Sequence, residues 1–423
     1  MKFFTNSGCR TAVCSDSGGS LLFWMQSILA SFDLPLLIAS LIKIVFLVFL
    51  VILPMVAYSV YAERRVSAII QDRVGPNRTG IPLTLLGFKK DIQIFGIGGL
   101  LQPMADGLKF ILKEDFTPRS VNTFYYWLAP CLTMVPALMT AAVMPFGSEL
   151  DLSWAGLGAP FKMVIADLNV GPLYMFAISS LGVYGIVLAG WASNSKYPFL
   201  GGVRASAQMI SYEISLGLSI IPAIMIFGEL NLGKMSAYQD ANGWLLLPLW
   251  GDGLSWSRLV LLVPIVISFV VFSISLFAET NRTPFDLPEC ETELVAGYHT
   301  EYSSMKFALF FLGEYAAMII GSGLAVTLFF GGWSIPFGPW LSEWTGLQFH
   351  YEAGNTPFYT GLLHIGTFFA KIVGCIIFFV WVRWTLPRFR FDQLMKLGWL
   401  VFFEVALLNV FLTALLLWLV PLK

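Results

Sequence analysis

Residues 259–279 read LVLLVPIVISFVVFSISLFAE, in which twenty uncharged positions precede the glutamate. An α-helix needs about 20 predominantly apolar residues to cross the hydrocarbon core of a bilayer. Because lipid offers the backbone no hydrogen-bond partner, a continuous apolar run of this length is typical of a transmembrane helix, whose backbone bonds are internal. The stretch therefore predicts that the chain crosses a membrane.

Seven more stretches of the same kind occur in the 423-residue chain, which is 57% hydrophobic and 12% charged. Soluble domains carry about 25% charged residues, so this composition is not that of a water-soluble protein. The sequence predicts an all-α membrane protein with eight transmembrane helices between residues 34 and 420. Besides 259–279, the predicted spans are 34–62, 122–146, 172–193, 208–228, 305–330, 362–386 and 397–420.

The distribution of basic residues predicts the orientation of these spans. The four connections that follow odd-numbered spans contain 17 of the 25 Lys and Arg residues. Because basic residues concentrate on the cytoplasmic side, these connections are expected there and both termini on the periplasmic side. The connections cover approximately residues 63–120, 194–207, 280–306 and 383–396.

Two segments outside the spans are predicted to be helices that lie in the membrane interface. In GGLLQPMADGLKFILKED, Asp106, Lys109 and Lys113 fall on one side at helical spacing, as in amphipathic interfacial helices. Residues 21–33 are expected to form a second such helix at the opposite face. Within the tail 1–33 that contains them, the polar residues 1–20 lack the apolar core and the cleavage site of a secretory signal.

Composition and motifs exclude several kinds of chemistry. A net charge of −1 gives no global field for a nucleic-acid partner. The five cysteines form no C-x-x-C pair, so neither a disulfide framework nor a zinc or iron–sulfur site is predicted. GIGGL at 96–100 is not a dinucleotide fingerprint, because Leu101 occupies the third glycine position. Whatever redox chemistry the protein serves, its metal centres are expected on another subunit.

Acidic residues are concentrated just after the fifth predicted span. Six of the 26 lie between positions 279 and 301, where Arg282 is the only Lys or Arg. Crowded carboxylates raise one another's pKa and share protons. A solvated acidic loop would also produce this run, but the Thr-Pro-Phe and Leu-Pro turns within it favour a folded loop. The six acids are Glu279, Asp286, Glu289, Glu291, Glu293 and Glu301.

Two further glutamates, Glu213 and Glu314, fall inside predicted spans. An ionisable group at bilayer depth is costly and usually faces a cavity or a partner. Each of them could be a structurally paired charge. Together with the acidic loop they favour a path that carries protons or charge from the cytoplasmic edge into the membrane.

The sequence YAERRVSAIIQDRVGPNRTG (61–80) leaves the first span with Glu63, Arg64 and Arg65 at its start. Ordinary membrane anchoring would explain the two arginines as a pair. The RVGPNR turn is more specific, because Gly75-Pro76-Asn77 separates two guanidinium groups that could grip carboxylates of a docked subunit.

Four stretches together resemble one family. They are residues 61–80, LLQPMADGLKFILKED (100–115), GWASNSKYPFLGGVRASAQMISYEISL (190–216) and FAETNRTPFDLPECETELVAGYHTEYSSMKFALFFLGEYAAM (277–318). These sequences are similar to the H subunit of proton-pumping NADH:quinone oxidoreductase (respiratory complex I), which is the counterpart of mitochondrial NADH dehydrogenase subunit 1. The resemblance is specific from about residue 34 to 330 and fades through the last two spans. Residues 80–98 are longer than the usual spacing of the family.

The resemblance implies a non-redox subunit that forms the membrane-side half of a quinone chamber and binds quinone as substrate, with no covalent cofactor. The quinone tail would enter between the first span, the amphipathic helix and the sixth span. Carried over by position, the proton path would comprise Glu213, Glu279, Asp286, Glu289, Glu291, Glu293, Glu301 and Glu314, and the quinone chamber Arg282, Phe285, Asp106, Glu63, Arg64 and Arg65.

The resemblance also implies partners. Flavin and iron–sulfur clusters would belong to other complex I subunits: soluble ones docked at the cytoplasmic loops, with small and antiporter-like subunits alongside in the membrane. Chloroplast and cyanobacterial relatives usually carry a cysteine where this chain has Thr280, so a bacterial respiratory complex in the inner membrane is favoured.

Two alternatives remain. One is the related membrane subunit of a ferredoxin- or hydrogenase-type complex, whose members generally lack part of the long cytoplasmic loop. The other is a stand-alone ion-coupled transporter, which predicts inverted repeats that are not evident in the sequence. The leading hypothesis is a subunit that couples quinone reduction to proton translocation.

Overall fold

The computed structural model describes residues 34–77, 79, 99–151, 161–248, 250, 255–287, 294–352, 354 and 356–420. Within this part of the chain the only strands are the short antiparallel pair β1 (Glu149–Leu150) and β2 (Phe161–Lys162). Eight helical stretches are long and apolar enough to cross a membrane. The predicted all-α fold with eight spans is therefore confirmed. The predicted helix at 21–33 and the segment 80–98 lie outside the described residues.

The spans are built from single helices or from consecutive helical segments. The first consists of α1 (Leu34–Phe46), a π-helical stretch (Leu47–Ile52) and α2 (Leu53–Ile70), and the last has a similar π-helical stretch at Leu397–Phe402. The remaining helices are α3 (Gln102–Leu112), α4 (Thr123–Thr140), α5 (Gly171–Ser179), α6 (Leu181–Ala192), α7 (Lys196–Phe227), α8 (Leu232–Asn242), α9 (Trp256–Glu279), α10 (Ser304–Phe329), α11 (Gly338–Thr345), α12 (Phe358–Thr385), α13 (Phe391–Lys396) and α14 (Phe403–Leu419).

Two helices extend well beyond the predicted spans, which brings charged residues onto them. Helix α2 continues to Ile70 because no glycine or proline follows Glu63 until Gly75. Helix α7 already begins at Lys196, and its Pro198 falls in the first turn, where a missing N–H breaks no helical hydrogen bond. Glu63 was predicted at the start of a connection and instead lies on a helix.

Helix α10 is the central helix of the bundle. In its most apolar window 67% of the residues are buried, compared with 17% in the first span and 22% in the last. It packs against α2, α4, α9 and α12. Most side chains on α10 therefore face other helices rather than lipid.

The amphipathic helix predicted near residue 106 is confirmed as α3. None of its residues is fully buried, and Met104, Leu108 and Ile111 are more than half exposed. The Ser304 hydroxyl donates to the carbonyls of Phe110 (2.8 Å) and Lys113 (3.1 Å), which ties the end of α3 to the start of α10. We call this side of the bundle the arginine-rich end, formed by the described residues of the connections 71–122, 193–195, 280–303 and 386–390. The other side is the opposite end.

Candidate functional site

Glu63 forms a buried ionic cluster at the arginine-rich end. Its Oε2 lies 3.4 Å from Nη1 of Arg282 and accepts a 2.5 Å hydrogen bond from the Tyr315 hydroxyl. Its Oε1 contacts Nη1 of Arg383, and the Arg282 guanidinium stacks on the Tyr315 ring at 4.1 Å. We call these four residues the Glu63 cluster. Two guanidiniums and a hydroxyl replace water around this carboxylate, which is only 8% exposed.

Gln208 positions the loop that carries Arg282. Its side-chain amide, fully buried on α7, donates to the carbonyls of Ala278 and Phe285, both at 2.8 Å, and to Oδ1 of Asn281 at 3.3 Å. Asn281 has a positive φ of 50°, a conformation that asparagine tolerates better than most residues. The three bonds fix the turn that directs Arg282 toward Glu63.

The adjoining residues of this loop are also held by distant parts of the chain. The buried Phe285 ring stacks on Phe389, with 5.5 Å between ring centroids. Asp286 accepts a 3.0 Å bond from Arg388. Glu289, Glu291 and Glu293 lie outside the described residues.

Asp106 links the amphipathic helix to the first span. Its carboxylate lies 2.8 Å from Arg64 and accepts a 3.0 Å bond from Gln102. The neighbouring Arg65 is exposed and packs its stem near Gly75. The predicted guanidinium fork is described only in part, because Arg78 lies outside the described residues and Arg73 bonds Gln71 at 2.6 Å.

Two of the predicted carboxylates, Glu279 and Glu314, line one cavity of about 100 Å³ inside the bundle. Apolar side chains such as Phe272 and Leu276 form much of the remaining wall. Glu213 follows the lining residue Met209 by one turn of α7, and its charge acts on Glu279. We call this space the glutamate cavity.

Basic groups are absent around two of these acids. Among the described residues no Lys or Arg lies within 4.0 Å of the carboxylate of Glu213 or Glu279. Glu314 accepts a 2.7 Å hydrogen bond from Tyr298. Glu279 and Glu314 therefore border a cavity whose lining is mostly uncharged.

Glu301 lies outside the glutamate cavity, in a segment fastened to α4. Its backbone carbonyl accepts a 2.7 Å bond from the Tyr126 hydroxyl, and the ring of Tyr126 stacks on Tyr302 at 4.2 Å. Burial and the neighbouring Tyr126 raise the pKa of Tyr302. The buried Lys306 bonds Asp115 at 3.1 Å. These contacts hold the predicted acidic loop against the bundle on its C-terminal side.

The structure thus divides the predicted site residues into groups. Glu279 and Glu314 line the glutamate cavity, with Glu213 one helical turn from its lining residue Met209. Glu63 instead meets Arg282. The functional residues that sequence reasoning missed are Tyr315, Tyr298, Arg383 and Gln208. Arg383 had been counted only as a basic residue at the end of a span. Tyr315 stands next to the predicted Glu314, which is the one signal that could have drawn attention to it.

The opposite end holds a different buried acid. Asp240 on α8 is 2% exposed, accepts a 2.7 Å bond from the backbone N–H of Tyr351, and its Oδ1 has no hydrogen-bond partner among the described residues. Burial raises the pKa of Asp240 to about 6. Nearby, the Lys371 ammonium donates to the carbonyls of Phe330 and Gly332 (both 2.8 Å) and Ser334 (2.7 Å).

These features define a multi-pass helical membrane protein with ionisable groups buried between its spans. A family model described as NADH dehydrogenase matches residues 42–414. The chain belongs to this family.

Curated relatives agree with this assignment along most of the chain. The H subunit of the NADH-quinone oxidoreductase of Flavobacterium psychrophilum is 45% identical over 366 residues, which cover 86% of this chain and 93% of the relative. An H subunit of the same enzyme from Cytophaga hutchinsonii is 44% identical, covering 88% and 94%. An H subunit from Geobacter metallireducens is 45% identical, covering 87% and 93%.

Proposed function

We propose that this chain is the subunit of a bacterial NADH:quinone oxidoreductase that forms part of the quinone chamber and couples quinone reduction to proton translocation. The names of its relatives support the enzyme and favour it over a hydrogenase-type complex. The observation that carries the coupling role is the glutamate cavity, where Glu279 and Glu314 share an enclosed space between helices.

The proposed quinone chamber lies at the arginine-rich end, where α2, α3 and α10 pack together. A quinone has a long apolar tail and a polar head, so its site needs an apolar groove that ends at polar groups. The exposed apolar face of α3 offers the apolar groove. The polar groups would be supplied by Glu63, Arg64, Arg65, Asp106 and Arg282, and Phe285 would add an aromatic surface to the chamber.

The Glu63 cluster would transmit the reaction to the cavity. Reduction of a quinone to a quinol takes up two electrons and two protons, which changes the charge balance beside Arg282. Tyr315 binds Glu63 and is adjacent in sequence to Glu314 on α10. A shift of the cluster would therefore reach the glutamate cavity through a single turn of helix. The acids Asp286, Glu289, Glu291, Glu293 and Glu301 would connect the chamber to Glu213 and Glu279.

The proposal also covers assembly and topology. The arginine-rich end would face the cytoplasm and receive the soluble subunits that carry flavin and iron–sulfur clusters, and both termini would face the periplasm. Small and antiporter-like subunits would contact the bundle within the membrane. Residues 34–420 would form the transmembrane domain, preceded by the tail 1–33. The basis for this topology is the excess of Lys and Arg in the connections at this end.

Replacement of Glu279 tests the coupling role. In membranes that contain the whole complex, Glu279→Gln is expected to lower both NADH:quinone reduction and proton pumping at least tenfold, because the amide cannot release a proton. Glu213→Gln should reduce both to a smaller extent. The matched control is Glu229→Gln, which removes an exposed carboxylate that pairs with Lys234 away from the cavity, and both rates should stay within twofold.

Assembly is measured in the same samples, by the flavin and iron–sulfur content of the detergent-extracted complex. If Glu279→Gln assembles normally and both rates equal those of the wild type, the proton path is wrong. If the extracted wild-type chain is found without flavin and iron–sulfur subunits, the proposed complex itself is wrong.

A further inference from the structure

A second and larger cavity lies on the other face of α10. It has a volume of about 400 Å³ and is bordered by α9 and α12, with α10 as its floor. Leu276 lines both this cavity and the glutamate cavity. Its wall includes Phe269, Ser273, Gly374 and Cys375. We call this space the α9–α12 cleft.

Aromatic contacts border the cleft at both ends. Toward the arginine-rich end Phe277 on α9 stacks on Phe379 on α12, with ring centroids 4.0 Å apart. Toward the opposite end the Lys371 ammonium lies 4.2 Å from the Trp244 ring. From Lys371 to Phe379 the cleft runs along about 12 Å of helix. The free space is therefore elongated and parallel to the spans.

The interior of the cleft is apolar despite the presence of Lys371. The ammonium group already donates to three backbone carbonyls that follow α10, so it caps that helix, where a cation is favourable. The remaining lining consists largely of phenylalanine and aliphatic side chains. A ligand of this cleft would be recognised by its hydrocarbon and not by a charge.

The cleft is continuous with the surface that faces the bilayer. Val373, Ile377 and Phe378 on α12 are each nearly half exposed, and the span to which they belong is apolar throughout. Lipid hydrocarbon is the material in contact with such a surface. The mouth of the cleft therefore opens into the acyl-chain region of the membrane.

Filling a cleft of this size with hydrocarbon is physically favourable. Protein interiors are close-packed and contain few voids larger than a water molecule, and atoms that line a void lose their dispersion contacts. Apolar cavities of about 150 Å³ stay dry and bind apolar guests. We propose that the α9–α12 cleft binds one acyl chain of a membrane phospholipid, which enters from the lipid side beside the half-exposed Phe378 and lies between α9 and α12. This site is separate from the quinone chamber and does not depend on the proposed function.

Two glycines on α12 provide a matched pair of variants. A Cβ at Gly374 or at Gly366 would meet no atom within 4 Å, so the backbone accepts a larger residue at both positions. Only Gly374 lines the cleft. Gly374→Phe should fill it, whereas Gly366→Phe adds the same side chain to the same helix outside it. Ser273→Leu fills the cleft from α9 and serves if Gly374→Phe fails to insert into the membrane.

The probe is phosphatidylcholine with a photoreactive diazirine on one acyl chain. Membranes that contain the full-length chain in its complex are fused with vesicles of this lipid and irradiated, and the labelled peptides are mapped by mass spectrometry. We expect adducts on residues 269–277 and 374–379 above the level found elsewhere on α12. Gly374→Phe should lower these adducts at least tenfold, and Gly366→Phe should leave them within twofold of the wild type.

Three results would overturn the proposal. The first is equal labelling of the wild type and Gly374→Phe, and the second is displacement of the lipid adducts by an excess of a long-tailed quinone. The third is crosslinking of the cleft to a neighbouring subunit instead of lipid. Quinone reduction by Gly374→Phe should remain within twofold of the wild type. Failure of the lipid proposal would therefore leave the proposed function untouched, and failure of the proposed function would leave the lipid proposal untouched.

Discussion

Glu63 and Glu279 are both carboxylates enclosed by the helical bundle, yet their surroundings are opposite. Glu63 contacts Arg282, Arg383 and the hydroxyl of Tyr315. Glu279 lines a largely apolar cavity, and among the described residues no Lys or Arg lies within 4.0 Å of its carboxylate. A second carboxylate, that of Glu213, adds a like charge to its surroundings.

This difference separates two uses of buried charge. A carboxylate held by two guanidiniums is restricted by these contacts, so it fastens helices together and orients its neighbours. A carboxylate with no cation beside it and another acid nearby has no such restriction. The Glu63 cluster is therefore expected to hold the helices together and to transmit changes in charge. The carboxylates of the glutamate cavity are expected to gain and lose protons.

The largest effect is expected when Glu63 is removed. Glu63→Ala leaves two guanidiniums without their carboxylate, and breaking a buried ion pair costs about 3–5 kcal/mol. Thermal unfolding of the detergent-extracted protein should show this loss. Arg65→Ala, on the same helix but exposed, should change stability by less than about 0.5 kcal/mol. Equal stability of both variants would show that the cluster does not hold the helices together.

Asp240 at the opposite end sharpens the comparison, because it is buried with only one of its oxygens bonded. Its pKa is raised to about 6 from 3.8, so the folded protein retains a proton that the unfolded chain has released. Stability should therefore fall as the pH rises from about 4 to 6, by about 3 kcal/mol in total, and then level off. The charges of His350 and Lys371 oppose this shift.

Asp240→Asn should abolish this decline and make the protein more stable than the wild type above pH 7, as measured by thermal unfolding across the pH range. Asp167 provides the opposite control. A hydrogen bond from Asn231, followed by the bond and charge of Lys162, lowers its pKa, so its contribution is present at neutral pH and lost as the pH falls. If the stability of Asp240→Asn and that of the wild type depend on pH in the same way, burial does not raise the pKa of Asp240.

The smallest effect is expected for the hydroxyl that contacts the cavity. Tyr298→Phe removes the 2.7 Å hydrogen bond to Glu314, and a bond to an ionisable group contributes about 1.5 kcal/mol. Proton pumping should fall by up to about tenfold, with the ring packing preserved. Tyr359→Phe, whose hydroxyl is at the opposite end, should pump at the wild-type rate. Pumping by Tyr298→Phe at that same rate would remove this hydroxyl from the coupling mechanism.

Hydropathy and charge were sufficient to predict the eight spans, because a bilayer requires long apolar helices whatever their tertiary packing. They also predicted α3, because its charges repeat at helical spacing. The ends of α2 and α7 were less predictable, since a helix continues into water wherever no residue interrupts it. Thus Glu63 belongs to a helix although its surroundings in sequence are polar.

The partners of the buried charges could not be predicted, because they come from distant parts of the chain. Arg383 is 320 residues from Glu63, and Gln208 bonds a loop more than 70 residues away. Local pattern contains no information on such pairs. The meeting of Glu279 with Glu314 at one cavity likewise depends on how α9 packs against α10. Residue type alone identified these acids as candidates. Only the packing distinguishes the carboxylate that is paired with guanidiniums from those that are not.

The most direct test of this distinction is infrared difference spectroscopy of the whole complex, recorded on reduction of its quinone. The account predicts a signal from a carboxyl group that gains or loses a proton. Among variants that assemble, this signal should be absent from Glu279→Gln and retained in Glu63→Gln. A signal that persists in Glu279→Gln, or that disappears only in Glu63→Gln, would contradict the assignment of proton exchange to the glutamate cavity.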